Sequence, residues 1–104
     1  MIKSEIQKSK YPIPPELMDV IPGYIGRREQ DIQALKAAVE IKDFIKIEQI
    51  AHKLKGNGAS FGFDKLTEIG INLMSSSHQQ NSFEIEKLVL VFETEINLIK
   101  ASIG

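Results

Sequence analysis

The residues best suited to chemistry lie together at positions 50–66, which read Ile-Ala-His-Lys-Leu-Lys-Gly-Asn-Gly-Ala-Ser-Phe-Gly-Phe-Asp-Lys-Leu. This stretch contains His52, the nearby lysines Lys53 and Lys55, and three glycines. A neutral imidazole is a nucleophile, and ammonium groups stabilise the negative charge of a phosphoryl group during its transfer. These residue types therefore fit phosphoryl transfer if the surrounding elements expose the histidine, although an exposed histidine beside lysines more often has no function.

The composition is typical of one globular domain, with 104 residues, 42% apolar and 26% charged. The net charge of −1, without blocks of like charge, argues against generic binding to nucleic acids or anionic membranes. The absence of cysteine excludes disulfides and thiolate sites. Because we find neither a bilayer-spanning apolar run nor a signal-peptide pattern, we expect a cytoplasmic protein.

Apolar residues recur at helical spacing in four segments, and no segment alternates with the period of a strand. We therefore predict an all-α fold over residues 14–104, an antiparallel up-and-down four-helix bundle, preceded by a flexible segment at residues 1–13. Pro15 favours the start of a short additional N-terminal helix that caps one end of the bundle. The expected core residues of the four helices are Ile25, Ile32, Leu35, Val39, Phe44, Ile47, Ile50, Ala51, Leu54, Gly58, Phe61, Leu66, Ile69, Gly70, Leu73, Ile85, Leu88, Val89, Phe92, Ile96, Ile99 and Ile103.

Polar residues mark the expected helix starts, with Asp43, Asp64 and Ser82 predicted as N-caps. Residues 75–81, Ser-Ser-Ser-His-Gln-Gln-Asn, are predicted to form a polar loop. We interpret Gly70 as a point of close helix approach.

Two further features concern association with other molecules. The apolar stripe of the last helix is interpreted as bundle core rather than an oligomer seam, so a monomer is expected. Tyr24 and Phe63 could contact a partner, although packing in the core is the favoured interpretation for Phe63.

His52 is predicted to face solvent. At about 100° per residue it lies about 140° from the apolar centre of its helix, near Ala51 and Leu54. Each interior glycine costs about 1 kcal/mol of helix stability relative to alanine, and we expect access to His52 to compensate for this cost. The residues that share its face are Glu48, Gln49, Lys55, Gly56 and Ala59.

Other site types fit the sequence less well. The glycines at 56, 58 and 62 lack the spacing and the preceding strand of a nucleotide-binding loop. His52 and His78 could in principle share a metal, but no carboxylate stands at a ligand spacing and no cysteine is present. We therefore expect neither cofactor nor metal, and we expect His78 to be solvated.

At these residues the sequence resembles the histidine-containing phosphotransfer (HPt) domain family of two-component phosphorelays. The family signature, His-x-Leu-Lys-Gly, reads His-Lys-Leu-Lys-Gly at positions 52–56 and is followed by small residues, a glycine and aromatic residues at 57–63. The resemblance is strongest over residues 44–74, and the amphipathic pattern extends it over residues 15–103.

The resemblance implies that His52 accepts the phosphoryl group through Nε2 and that Lys55, assisted by Lys53, positions and neutralises this group. Gly56 would keep the ring accessible, Leu54 would anchor the helix in the core, and Gly62 would serve the following turn. The residues expected to contact the phosphoryl group or the partner are Gln49, Lys53, Lys55, Gly56 and Ala59.

The resemblance also implies a relay role. A receiver-domain aspartate, or a hybrid kinase, would supply the group to His52, and a second receiver would remove it. The partners would be response-regulator receivers and a sensor or hybrid histidine kinase. The chain would be a phosphocarrier without its own ATP site, and any magnesium would belong to the receiver.

One feature departs from the family pattern and leaves an alternative open. Many members supply a polar partner to the histidine from the following helix, where this chain has Ile71, Leu73 and Met74, although Asn72 and His78 are nearby. Gln49, Glu48 or water could orient the ring instead. The alternative function is a non-catalytic helical adaptor, a degenerate relative that binds a receiver or kinase.

Overall fold

The computed structural model describes residues 13–103 and contains four α-helices. They are α1 (Ile21–Glu40), α2 (Phe44–Phe61), α3 (Asp64–His78) and α4 (Ser82–Ile103). Links of two or three residues make consecutive helices antiparallel, and α4 packs back against α1. No strand occurs in this range. The structure thus confirms the predicted all-α four-helix architecture, while the predicted flexible segment at residues 1–13 lies outside the described residues except for Ile13.

The predicted additional N-terminal helix is wrong, because Pro15–Leu17 forms only a 3-10 turn. A helix running from this turn into α1 would need an N–H at Pro22, which proline lacks, and the proline ring would collide with the carbonyl four residues earlier. The few residues that remain before Pro22 are too short to sustain a separate α-helix.

The structure confirms one of the three predicted N-caps. Asp43 accepts a hydrogen bond from the Lys46 amide at 3.1 Å. Asp64 and Ser82 are instead the first helical residues. Asn81 caps α4 by accepting from the Glu84 amide at 3.1 Å, because its side chain, one residue earlier than that of Ser82, reaches the third helical amide.

The capping position before α3 is occupied by Phe63, which provides no side-chain hydrogen bond there. Asp64 still acts favourably in the first turn, where a carboxylate meets the positive end of the helix dipole.

The polar loop predicted at residues 75–81 is shorter than expected, since α3 continues through His78 and only residues 79–81 connect to α4. Ser76 and Ser77 are buried. The Ser77 hydroxyl donates to the Phe44 carbonyl at 3.3 Å, which satisfies it at the first turn of α2. Serine is therefore tolerated in the last turn of α3 because it faces a neighbouring helix end.

The core follows the predicted helical faces. Tyr24 and Phe63 are also buried, which contradicts a role for Tyr24 as a partner contact and confirms core packing for Phe63. Phe44, Phe61 and Ile103 pack at the edge of the core and are half-buried. Within the described range no helix combines the length and apolarity needed to cross a membrane. The other predicted apolar core residues are all buried: Ile25, Ile32, Leu35, Val39, Ile47, Ile50, Ala51, Leu54, Leu66, Ile69, Leu73, Ile85, Leu88, Val89, Phe92, Ile96 and Ile99.

The α2–α3 interface is the closest in the bundle, and two glycines permit it. A Cβ at Gly70 would lie 2.7 Å from the Lys55 backbone nitrogen and 2.8 Å from the Ala51 carbonyl oxygen. A Cβ at Gly58 would lie 2.8 Å from Thr67 Oγ1 and 2.9 Å from its backbone nitrogen. The structure confirms the prediction for Gly70 and shows that Gly58 serves the same purpose.

The turn between α2 and α3 depends on Gly62, which adopts φ +77° in the left-handed region. Its N–H donates to the Ala59 carbonyl at 3.1 Å, and the Phe63 N–H donates to the Gly58 carbonyl at 2.8 Å. These bonds satisfy the last carbonyls of α2. Gly62 therefore serves the turn, as the family resemblance implied.

Candidate functional site

His52 lies on the solvent face of α2, as predicted. Its neighbour Ala51 and Leu54, two positions further on, are fully buried on the opposite side of the helix. Because these two residues fix the rotation of α2 against the core, the imidazole is held outward by packing rather than by a flexible loop.

A shallow groove of about 360 Å³ opens beside His52, between α2 and α3. Two of the predicted binding residues, Gln49 and Lys53, line it together with the histidine. The other lining residues, Ile45, Glu48 and Met74, were not predicted as partner contacts. Ile45 lies seven residues before His52 and Glu48 lies four before it, so helical spacing carried a signal for both, whereas the position of Met74 depends on the register of α3.

The lysines next to His52 are available to an incoming anion. Lys53 and Lys55 are exposed, and neither forms an ion pair with another residue of the described range. Lys55 follows His52 by three residues, which makes the two side chains neighbours on the helix surface. The backbone of Lys55 has a separate role, since its carbonyl accepts a hydrogen bond from Thr67 Oγ1 at 3.2 Å across the α2–α3 interface.

The three glycines of α2 and its C-terminal turn do not share one function. Gly56 is exposed, and a Cβ built there would meet nothing within 4 Å. Gly58 is buried for helix packing, and Gly62 forms the turn. The open space at Gly56 is compatible with the access role predicted for it, whereas the cost of Gly58 is offset by packing in the core and that of Gly62 by the turn, the places expected for them from the sequence.

Ala59 continues the open surface beyond Gly56. It is exposed and lines a second groove of about 560 Å³ with residues of α3, among them Thr67 and Ile71. The predicted binding residues are thus all exposed and form one continuous surface along α2, from Gln49 to Ala59.

His78 is exposed as predicted, but it also has a partner that the sequence did not indicate. Its Nε2 lies 3.0 Å from Oε2 of Glu48. Glu48 was considered as a residue that orients the His52 ring, but this contact joins it to His78. The pairing brings the C-terminal end of α3 onto the same surface as His52.

The ring of His52 forms no hydrogen bond with any residue that the structure describes. Met74 of α3 lines the groove beside it, and a thioether is a weak acceptor. Among the described residues, neither ring nitrogen of the exposed His52 is therefore held by a hydrogen bond.

Tyr24 supports the site from behind by joining α1 to α2. Its hydroxyl donates to Oδ1 of Asn57 at 2.6 Å, and its ring lies 4.3 Å from that of Phe61, centroid to centroid. The guanidinium of Arg28 lies 4.7 Å from the Tyr24 ring centroid. Burial raises the pKa of Tyr24 above its ordinary value of 10.0, and the charge of Arg28 opposes this shift.

Metal-binding side chains are not clustered in the part of the chain that the structure describes, where no three His, Cys, Asp or Glu residues come together. The His78–Glu48 contact brings only two such groups into proximity.

Comparisons with known proteins give a family for the chain. Neither curated proteins nor solved structures gave a match. The family model of the Hpt domain, a phosphocarrier module of two-component phosphorelays, matches residues 15–102. Because this match spans the four-helix bundle up to residue 102, including the groove beside His52, the chain belongs to the Hpt domain family.

Proposed function

We propose that this protein is a phosphorelay intermediate that carries a phosphoryl group on His52. The observation that carries the proposal is the exposed imidazole on the rigid face of α2, with Gly56 leaving its approach open. Membership of the Hpt family and the two exposed lysines beside the ring support the same role. The donor is a receiver-domain phospho-aspartate or a hybrid kinase, and the acceptor is the aspartate of a second receiver.

The transfer is an in-line displacement at phosphorus. The lone pair of Nε2 attacks the phosphorus, the bond between phosphorus and the donor aspartate oxygen breaks, and the carboxylate remains on the receiver. The ring retains its Nδ1 proton during attack and then releases it to water. Lys55 and Lys53 offset the charge that spreads over the phosphoryl oxygens, and the reverse sequence delivers the group to the second receiver.

The chain acts as a carrier and depends on its partners for the remaining chemistry. In the proposal, a sensor or hybrid histidine kinase supplies the ATP-derived phosphoryl group. Any magnesium would be held by the acidic pocket of the receiver rather than by this chain, and it would offset the negative charge of the phosphoryl group there.

We assign receiver docking to the surface around His52. Ile45 and Ile71 are 73% and 48% exposed, and they lie on α2 and α3 beside the two grooves. Apolar residues at the centre of an interface with polar residues at its rim are typical of protein contacts. Gln49, Lys53 and Ala59 would provide the remaining contacts along α2.

A transfer experiment tests the proposal and the adaptor alternative together. A response-regulator receiver domain is first phosphorylated with radiolabelled acetyl phosphate and separated from the unreacted acetyl phosphate. It is then mixed with the wild type, His52→Gln or His78→Gln. We expect label on the wild type and on His78→Gln, and none on His52→Gln. If the receiver binds all three proteins and labels none, the adaptor function replaces the carrier function.

A further inference from the structure

The outer face of α4 carries a second apolar stripe that the bundle core does not use. Phe83, Leu90, Val91 and Leu98 are 70%, 61%, 39% and 39% exposed. At 100° per residue they fall within an arc of about 100° on the side of α4 away from Phe92 and the rest of the core stripe. Four large apolar residues aligned along one exposed helix face are more than the scattered exposure that a surface normally shows.

The order of residues along this stripe makes it self-complementary. Two exposed polar residues lie between the apolar ones, so that the face reads Phe83, Lys87, Leu90, Val91, Thr94 and Leu98. Measured from the midpoint between Leu90 and Val91, each apolar or polar residue on one side has a residue of the same kind at the same distance on the other side. An antiparallel copy of the helix, centred on that midpoint, therefore places apolar residues opposite apolar residues and polar opposite polar.

A groove beside the midpoint of the stripe supplies a matching concave surface. It has a volume of about 280 Å³, lies between α1 and α4, and is lined by three aliphatic residues, Val39, Val89 and Leu90, and by three charged ones, Lys36, Glu40 and Glu86. Leu90 thus forms one wall of this groove and is also exposed to solvent. In an antiparallel pair the two Leu90 side chains meet near the symmetry axis, where each reaches the groove of the other copy.

We propose that two copies of this chain associate through α4, with the helices antiparallel and the two-fold axis between Leu90 and Val91. In this arrangement Leu90 and Val91 form the centre of the contact, and Phe83 of each copy lies level with Leu98 of the other. The contact is isologous, as expected for a closed dimer.

Lys87, the charged residue among those that form this face, is compatible with the pairing. Lys87 lies level with Thr94 of the other copy, whose hydroxyl can accept a hydrogen bond from the ammonium group. The two copies of Lys87 are about 10 Å apart along the helices. Lys87 Nζ also lies 3.6 Å from Glu84 Oε1 and 5.1 Å from the ring centroid of Phe83 within its own chain, so Glu84 partly offsets the charge that Lys87 places on the contact line.

The size of the contact sets the expected strength of the dimer. The stripe from Phe83 to Leu98 is about 22 Å long at 1.5 Å per residue. A single helix pair of this length gives an interface at the small end of the range for protein contacts. We therefore expect a reversible dimer that forms in the micromolar range or above.

The proposed dimer is independent of the phosphocarrier role. The α2 helix contacts α1 and α3, and α4 contacts the same two helices, so α2 and α4 lie across the bundle from each other. His52 on α2 therefore remains accessible in both copies. The proposal departs from the sequence-based expectation of a monomer, which considered the core stripe of α4 and not its opposite face.

Sedimentation velocity over a concentration series up to about 1 mM tests the association on the full chain. We expect the wild type to dimerise reversibly and Leu90→Glu to weaken the dimer by at least about tenfold. Ile45→Glu, the same kind of change at an exposed apolar residue of α2, is the matched control and should leave dimerisation unchanged. A wild type that stays monomeric throughout, or an equal effect of both variants, would overturn the proposal.

Lys87 provides a second test, because it is the charged residue on the contact line. Lys87→Leu removes the cost of placing an ammonium group in the interface, and we expect the dimer to tighten by about threefold to tenfold. Lys53→Leu, which adds the same side chain to the exposed face of α2, is the control for non-specific association. Melting curves verify that each variant is folded. A Lys87→Leu protein that dimerises no more tightly than the wild type would contradict the pairing.

Cross-linking tests the orientation of the helices and the position of the axis, because the chain contains no cysteine of its own. Two copies of residue 91 would lie close to the axis, whereas two copies of residue 94 would be separated by about 10 Å along the helices, beyond the reach of a disulfide. We expect Val91→Cys to form a disulfide-linked dimer on mild oxidation and Thr94→Cys to remain unlinked. Efficient linkage through Thr94→Cys would indicate a parallel pairing and overturn this arrangement.

Discussion

Gly56 differs from Gly58 and Gly70 in what surrounds it. The space beyond Gly56 is open, one turn after His52, while Gly58 and Gly70 face the backbone or side chains of a neighbouring helix. The helical period placed Gly58 and Gly70 on the core face and Gly56 beside His52. It could not show which atoms of the neighbouring helix each glycine meets, because this depends on which residue of α3 faces each residue of α2.

Gly56→Leu tests the access role at the residue scale. The substitution should leave the fold intact or stabilise it by up to about 1 kcal/mol, because leucine has the higher helix propensity and its Cβ would meet nothing within 4 Å. It should slow phosphoryl transfer from a phosphorylated receiver, because the leucine side chain would crowd the approach to His52. Stopped-flow transfer kinetics and thermal melting measure the two effects. An unchanged transfer rate would contradict the access role of Gly56, and Gly56→Ala provides the smaller matched change.

Tyr24 predicts a specific alkaline effect on stability. Because burial raises its pKa above 10.0, the folded state retains the phenolic proton at a pH where the unfolded chain loses it. Its contribution is therefore fully present below about pH 10 and is lost as the pH rises further. Urea denaturation between about pH 8 and pH 11 should show a steeper alkaline loss for the wild type than for Tyr24→Phe. Parallel curves for the two proteins would contradict this account.

At the element scale, the sequence predicted the helices well but did not predict the polar contacts between them. Periodicity identified all four helices and their buried faces, because a 3.6-residue repeat directly records which side is apolar. The predicted helix ends were less accurate than the predicted buried faces. Asn81 and Ser82 are adjacent and both suit a cap, and only the geometry of the first turn selects Asn81. The Glu48–His78 and Tyr24–Asn57 contacts join separate helices, so no local pattern could reveal them.

The close approach of α2 and α3 predicts opposite effects for the same substitution at two glycines. Gly70→Ala should destabilise the protein by about 1–3 kcal/mol, because its Cβ would meet the backbone of α2, which cannot move aside alone. Gly56→Ala should be neutral or stabilise it by up to about 1 kcal/mol. Chemical denaturation of both variants provides the comparison. A Gly70→Ala protein as stable as the wild type would show that the two helices can separate without cost.

At the scale of the whole molecule, the bundle presents two surfaces on opposite sides. One contains His52 with the grooves along α2 and α3, and the other is the outer stripe of α4. The sequence located the first surface through the motif around the histidine. The outer stripe of α4 was not recognised from the sequence. In a long helix, apolar residues that are exposed cannot be told from core residues until the packing of the bundle shows which face each one occupies.

Docking at the His52 surface predicts that partner-dependent and partner-independent phosphorylation can be separated. Ile45→Glu should slow phosphoryl transfer from a phosphorylated receiver by at least about tenfold, because it places a negative charge in the docking surface. Labelling by a small chemical donor should remain near wild-type rates, since the imidazole is untouched. Leu90→Glu, on the opposite side, should transfer normally. Equal slowing with both kinds of donor would mean that Ile45 acts on the histidine itself rather than on docking.

The most direct measurement of the central claim is the intact mass of the protein after incubation with phosphoramidate, a donor that requires no partner. The wild type and His78→Gln should each gain a single acid-labile phosphoryl group, and His52→Gln should gain none while melting at nearly the wild-type temperature, because its side chain is exposed. A phosphoryl adduct on His52→Gln that is absent from His78→Gln would place the acceptor at His78. That result would contradict the assignment of His52 as the phosphoryl carrier.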